Sequence, residues 1–210
     1  GAFYIGHGMK EPCGGLAHGN SGFIMSYGRL LQYMKKEVEY ERILKSLLAY
    51  ENIALKKRTT EGKESDWKTS HLPSWCHGDL GITLAYLDLR KNIGIEYDYA
   101  MPVVLERVNQ IIREVDIRKS MCLCHGNVGN MLMTEQCISI LGNKKWELIV
   151  QFREKVRGLL SREEFAMEIE KMTWGMMGGY AGIGYGCLMM SEKKSWMKGV
   201  DILRVRVNED

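Results

Sequence analysis

Apolar residues recur at helical spacing in several stretches of the chain. One stretch places five of them on a single helical face: Tyr40, Ile43, Leu44, Leu47 and Leu48. Similar stripes, with apolar residues three or four positions apart, run through residues 97–115 and 146–159. Ser161 and Glu164 have the spacing of a capping box, which predicts a further helix from there to about Met172. No stretch shows the alternation typical of strands, so the pattern predicts an all-α protein.

A glycine motif repeats four times along the same chain. Each copy has the spacing Gly-x-x-Gly and leads into an apolar run rich in small residues. The copies are Gly19/Gly22, Gly78/Gly81, Gly126/Gly129 and Gly179/Gly182, spaced 59, 48 and 53 residues apart. Such periods are typical of arrays built from one supersecondary unit. Because glycine permits close backbone packing, each motif is expected to open an inner helix.

The repeats and stripes together predict a ring of helical hairpins, an α/α toroid of which about four repeats are present. Amphipathic outer helices would pack on more apolar inner helices, and all four glycine turns would lie at one end. A helical solenoid whose glycines serve only packing is the alternative, and repetition alone does not separate the two. With 210 residues, the chain is long enough for one domain spanning residues 1–210.

Composition narrows the class of protein further. Hydrophobic residues make up 45% and charged residues 26%, and the net charge of +3 gives no reason to expect nucleic-acid binding. Residues 172–191 carry no charge and are long enough to span a bilayer, but their six glycines and their match to the repeat favour a soluble helix. Six Cys without a signal-peptide pattern indicate a reducing cytoplasm, with thiols available for a metal.

The candidate chemistry stands directly before the first glycine of each motif. The residues at this position are His18, His77, His125 and Gly178, and those one step earlier are Ala17, Cys76, Cys124 and Met177. Zinc prefers thiolate and imidazole, and a catalytic zinc keeps three protein ligands and an open position. Cys76, Cys124 and His125 supply such a set. Since adjacent Cys124 and His125 do not have zinc-finger spacing, the fold would have to assemble the site.

Plainer interpretations apply to the same residues. A lone Cys is usually a small buried apolar side chain, and His18 alone would more often be a structural hydrogen-bonding residue. Cys122 competes with Cys124 as a ligand, although two Cys within one turn crowd a tetrahedral site. Of the remaining thiols and imidazoles, Cys13, Cys137 and Cys187 are expected to be core or exposed thiols, and no role is expected for His7 and His71. Nucleotide-binding loops, nucleophile elbows and His-Glu-x-x-His are absent from the sequence.

Four separated motifs resemble those of LanC-like lanthionine cyclases, in the same order and over nearly the whole chain. They are Ala17-His18-Gly19, Trp75-Cys76-His77-Gly78, Cys124-His125-Gly126 and the glycine-rich run 179–186. The Trp-Cys-His-Gly form, the run Leu-Cys-His-Gly-x-x-Gly-Asn at 123–130 and Tyr40-Glu41-Arg42 are most similar to the cyclase domain of class II (LanM) lanthipeptide synthetases. That family forms a seven-hairpin toroid, so the resemblance implies a carboxy-terminal fragment, with further repeats and a dehydratase domain upstream.

The resemblance implies a zinc-dependent peptide cyclase. Its substrate would be a dehydrated precursor peptide, in which Cys thiolates add to dehydroalanine or dehydrobutyrine to form thioether rings. By position, Cys76, Cys124 and His125 match the zinc ligands of the family, and His18 matches its catalytic acid/base. His77 stands at a pocket position and would stabilise the enolate. Two alternatives stay open: a module that binds zinc and peptide without turnover, and addition of glutathione to dehydro residues.

Overall fold

The computed structural model describes residues 15–34, 38–60, 74–94, 119–141 and 146–191, together with residues 109, 112, 113 and 115. These residues form helices and turns, and no strand occurs among them. The helices are α1 (Asn20–Leu31), α2 (Val38–Thr60), α3 (Asp79–Ile93), α4 (Asn127–Leu141), α5 (Trp146–Leu160), α6 (Glu163–Ile169) and α7 (Tyr180–Ser191). The all-α prediction is confirmed in this part of the chain.

Four of these helices form an inner layer in which each packs against the next: α1 on α3, α3 on α4, and α4 on α7. They are the four helices that follow the glycine motifs. Every residue of α3 from Asp79 to Leu89 is buried, which is typical of a helix enclosed on all sides. The distinction between apolar inner helices and amphipathic outer ones, as predicted from the sequence, is therefore present.

Glycines within the inner helices let neighbouring helices approach closely. A Cβ atom at Gly28 of α1 would collide with the side chain of Leu89 on α3, and one at Gly186 of α7 would collide with Val128 on α4. Both contacts use a glycine on one helix as the recess for a branched side chain on the next. The small-residue character of the inner helices therefore has a direct packing reason.

Two amphipathic helices cover the inner layer from outside. Helix α2 packs on α1 through a face that includes Leu44 and Leu48, and α5 packs on α4 through Ile149, Phe152 and Val156. Both faces are the ones predicted from the apolar stripes. The stripe at 97–115 lies largely outside the described residues, although Ile112 is buried and packs with the core.

Buried polar pairs fix how these helices meet. Arg29 donates two hydrogen bonds to the Asp88 carboxylate, at 2.8 Å from Nε and 2.7 Å from a terminal nitrogen, and so ties α1 to α3. Ser21 donates to Glu51 at 2.6 Å, which ties α1 to α2. The fully buried Glu135 of α4 pairs with Arg153 of α5. In each pair, a polar group that is removed from water finds a hydrogen-bond or charge partner on the neighbouring helix.

One sequence prediction is wrong in detail. The capping box expected at Ser161 and Glu164 does not form, because α6 begins at Glu163 behind Arg162, which makes no side-chain cap. The Ser161 hydroxyl instead donates to the carbonyl of Arg157 at 2.9 Å, at the end of α5. Ser161 thus stands one residue before the N-cap position, with its hydroxyl turned back to α5 and not toward the amides that open α6. The helix also ends at Ile169, short of the expected Met172.

Candidate metal centre

The four glycine turns each start an inner helix at the same register. The first glycine of each motif immediately precedes the first helical residue, as Gly19 precedes α1 and Gly126 precedes α4. Gly19 and Gly78 are the N-caps of α1 and α3, in extended backbone conformations. The predicted relation between motif and helix start is confirmed at all four copies.

Backbone hydrogen bonds join consecutive turns at equivalent positions. The amide of Ala17 donates to the carbonyl of Cys76 at 3.1 Å, Cys76 donates to Cys124 at 3.4 Å, and Cys124 donates to Met177 at 2.9 Å. The residue two places before the first glycine therefore meets its counterpart in the next turn. This arrangement places all four turns at one end of the helical layer, as predicted, and sets Cys76 beside Cys124.

The second glycine of each motif is required by a close backbone approach. A Cβ atom at this position would lie well under 3.0 Å from the carbonyl oxygen six residues earlier. The pairs are Gly22 with Leu16, Gly81 with Trp75, Gly129 with Leu123, and Gly182 with Met176. Because any side chain would push that carbonyl away, glycine keeps the turn tight and holds the residues before the helix over its first turn.

Cys76, Cys124 and His125 converge at this end. Their ligand atoms lie within 4.8 Å of one another. In the described part of the chain, these three residues form a group of metal-binding side chains close enough to hold one ion. Tetrahedral zinc with sulfur at about 2.3 Å and nitrogen at about 2.0 Å separates its ligands by roughly 3.5 Å. The two sulfurs and one imidazole therefore fit zinc in their chemistry, and they lie close enough together to converge on one ion. Cys76 is buried, Cys124 is half-buried and His125 is exposed, so one side is open.

A hydrogen bond joins the two thiols. The Cys124 thiol donates a hydrogen bond to the Cys76 sulfur, which is the main reason that the pKa of Cys76 falls to about 6, with Ser74 and the charge of His125 lowering it further against the opposing effect of burial. The same hydrogen bond is the main reason that the pKa of Cys124 is raised. The lowered pKa of Cys76 favours its thiolate, the form in which Cys binds metals.

Two more histidines stand next to this group. The rings of His18 and His77 stack with centroids 4.3 Å apart and planes 13° from parallel. His77 follows Cys76 directly, so the stacked pair extends the site from the second turn to the first. His18 is exposed and His77 is half-buried. All five residues predicted for the site therefore lie on adjacent turns, while the catalytic role of each stays a prediction.

The fourth turn brings different residues to this end. Its equivalents of Cys and His are Met177 and Gly178, and Trp174 is largely exposed with its ring tilted against Tyr180. Among the other thiols, Cys122 and Cys137 are buried and Cys187 is exposed, as expected. Cys13, His7 and His71 lie outside the described residues.

One residue near the metal group was missed in the sequence. Ser74 is 3% exposed, and its hydroxyl oxygen lies 3.9 Å from the sulfur of Cys76, within hydrogen-bond range for sulfur. A serine two residues before a Cys gives little signal alone. The signal lay in the repeat, because Ser74 occupies the same motif position as Cys122.

Comparison with known proteins defines the class. The model of the family described as lanthionine synthetase C-like protein matches residues 9–199. The chain therefore belongs to the lanthionine synthetase C-like family. Among curated proteins it is similar to the lacticin 481/lactococcin biosynthesis protein LcnDR2 of Lactococcus lactis subsp. lactis, with 26% identity over 200 residues. The match covers 89% of this chain and 21% of the relative, so the chain spans about a fifth of the length of that relative.

No helix in the described part of the chain combines the length and the apolar character needed to cross a membrane. The uncharged stretch 172–191 contains α7, which has 12 residues.

Proposed function

We propose that this chain carries the cyclisation site of a lanthipeptide synthetase, which forms thioether rings in a dehydrated precursor peptide. The observation that carries the proposal is the group formed by Cys76, Cys124 and His125 beside the stacked pair of His18 and His77. Family membership and the lacticin 481 relative support the same chemistry. That relative is much longer than this chain. We therefore propose that this site works within a larger protein, in which another domain dehydrates the precursor peptide, and that the protein acts in a reducing cytoplasm.

In the proposed reaction, a Cys thiol of the peptide adds to the β-carbon of a dehydroalanine or dehydrobutyrine residue. As the C–S bond forms, the C=C π bond breaks and its electrons move into an enolate. Protonation of the enolate at the α-carbon then completes the addition. The reaction is an isomerisation, because the thiol proton lost in the first step is balanced by the proton gained in the second. A zinc ion bound to this site would supply a lowered pKa for the incoming thiol.

The residues of the chain have separate proposed tasks. Cys76, Cys124 and His125 hold the metal, and the exposed side of His125 leaves room for a substrate. His18 is the proton donor to the α-carbon, since imidazole is the side chain most often used for proton transfer and this one is exposed beside the metal group. It lacks a preceding Cys, because Ala17 stands there, which argues against a ligand role. His77 stacks on His18 and hydrogen-bonds to the enolate.

Incubation of the zinc-loaded chain with a dehydrated, Cys-containing peptide tests the proposal. Ring closure leaves the peptide mass unchanged and removes a thiol that an alkylating reagent would otherwise label. His18→Asn should keep zinc and slow ring closure by roughly 10²–10⁴-fold, the usual range for a lost general acid. Ring positions should be mapped as well as the rate, because uncatalysed addition also forms thioethers.

The other outcomes separate the alternatives. Peptide binding without loss of free thiol would indicate a binding module. A product heavier by one glutathione, formed when glutathione is supplied, would indicate addition to the dehydro residue. Loss of zinc in His18→Asn would place His18 among the ligands, and full activity with zinc intact would leave it a structural residue.

A further inference from the structure

The residue four places before the first glycine differs between the turns that carry Cys and those that do not. Ser74 and Cys122 occupy this position in the second and third turns, whose Cys76 and Cys124 stand two residues later. The first and fourth turns have Gly15 and Gly175. A buried side chain, a hydroxyl at Ser74 and a thiol at Cys122, thus precedes each Cys of the metal group, where the turns without Cys have glycine.

The backbone fixes Ser74 firmly. Its carbonyl accepts a hydrogen bond from the amide of Gly81 at 3.2 Å, the second glycine of the same motif. The following amide, that of Trp75, donates to Cys124 in the next turn at 3.1 Å. Both bonds involve the tight turn, so the backbone at Ser74 has little freedom.

The sulfur of Cys76 lies within hydrogen-bond range of the Ser74 hydroxyl: as a thiol it donates to the hydroxyl oxygen, and as a thiolate it can only accept from the hydroxyl. The two atoms are 3.9 Å apart, and both residues are buried, at 3% and 5% exposure, so water cannot easily replace the contact. The backbone amide of His77 is a further donor to the same sulfur, beside the Cys124 thiol. Hydrogen-bond partners of this kind orient metal ligands and tune their donor strength.

We infer that Ser74 is a positioning residue of the metal centre, whose hydroxyl donates to the Cys76 thiolate and holds it toward Cys124 and His125. The inference rests on the proposed metal site and adds to it a residue that acts through a ligand. In the metal-bound state, the hydrogen bond withdraws charge from the sulfur and limits its rotation. Its loss should therefore change both the affinity for metal and the electronic state of the sulfur.

Cobalt(II) titration of the full chain tests this inference, with a chelator as competitor and the sulfur-to-cobalt charge-transfer band as the spectroscopic readout. Ser74→Ala should bind cobalt roughly 10–100-fold more weakly than the wild type, the usual effect of removing a partner of a metal ligand. Its charge-transfer band should move to lower energy, because the sulfur lone pair loses a stabilising donor. Ser74→Thr retains the hydroxyl and should restore both.

Ser21→Ala is the matched control, because Ser21 is also a buried serine with a side-chain partner, Glu51, but lies within α1 and not in the turn that carries Cys76. It should lower stability while leaving the cobalt affinity and the band unchanged. Ser74→Ala with the affinity and band of the wild type would overturn the inference. A second result would also overturn it: Ser74→Ala binds cobalt more weakly but its charge-transfer band does not move, and Ser74→Thr does not restore the affinity. That result would indicate that Ser74 has only a structural role.

Failure of the proposed function gives a different result. A wild-type chain that binds no cobalt would overturn the metal site and this inference together. A wild type that binds cobalt through sulfur while Ser74→Ala is indistinguishable from it would overturn this inference alone.

Discussion

A single methyl group at Gly129 should destabilise the chain, whereas the same methyl group at Gly158 should stabilise it. At Gly129, in the first turn of α4, a Cβ atom would lie closer than 3.0 Å to three backbone atoms of Leu123. At Gly158, within α5 and exposed, a Cβ atom would meet nothing within 4 Å. Both glycines are helical, so the gain in helix propensity is common to the two substitutions.

The magnitudes follow from these contacts. Replacing a helical Gly with Ala gains about 1 kcal/mol from backbone entropy. At Gly129 this gain is opposed by overpacking of about 1–3 kcal/mol and by weakening of the hydrogen bond from Gly129 to the Cys122 carbonyl, worth about 1 kcal/mol. Gly129→Ala should therefore lower the free energy of unfolding by about 1–3 kcal/mol, and Gly158→Ala should raise it by about 0.5–1 kcal/mol.

Urea unfolding followed by circular dichroism at the helical minimum measures both effects. Because Leu123 directly precedes Cys124, displacing its carbonyl should also weaken zinc binding, which Gly158→Ala should leave unchanged. If both substitutions raise the urea midpoint and neither alters zinc binding, the close backbone approach does not demand glycine at the second position of the motif.

Three further outcomes follow from individual residues. Cys124→Ala should empty the metal site, and Cys122→Ala should retain stoichiometric zinc by elemental analysis; the reverse pattern would make Cys122 the ligand. Burial raises the pKa of Glu135 to about 7 from 4.5 in spite of Arg153, so the folded chain should lose stability as the pH rises between these values, and Glu135→Gln should abolish that loss in unfolding titrations. A slope that persists in Glu135→Gln would assign it to another group. Replacing Arg29 with Met should cost a few kcal/mol, since it leaves the Asp88 carboxylate buried without its charged partner; an unchanged unfolding midpoint would show that this ion pair is dispensable.

The helical layout was predictable because its signals are periodic and local. The apolar stripe around Leu44 and Leu48 and the four glycine motifs specify which helices are amphipathic and where inner helices begin. The equivalence of Cys76 and Cys124 within those motifs was enough to predict that they would meet. Zinc binding by these two Cys residues and the roles of the histidines stay predictions, which the closeness of the ligand atoms supports.

Other features depend on contacts that no local pattern encodes. The hydrogen bond from Ser21 to Glu51 joins residues 30 positions apart, and the pair of Arg29 and Asp88 spans 59. Periodicity predicts that these helices pack but not which polar groups meet. The capping box at Ser161 failed for a different, local reason, since the helix begins one residue later than the pattern predicts and Arg162 takes the N-cap position. Ser74 was overlooked because its importance appears only once the turns are aligned four places before their first glycine.

The central claim is that the shared end of the four turns assembles a zinc site from two thiolates and one imidazole. X-ray absorption at the zinc edge of the purified chain tests it most directly. We expect one zinc per chain with two sulfur ligands at about 2.3 Å and one imidazole nitrogen at about 2.0 Å, and with the remaining position exchangeable. Cys76→Ala should remove the metal. Zinc bound without sulfur, or a wild-type chain that retains none, would contradict the account.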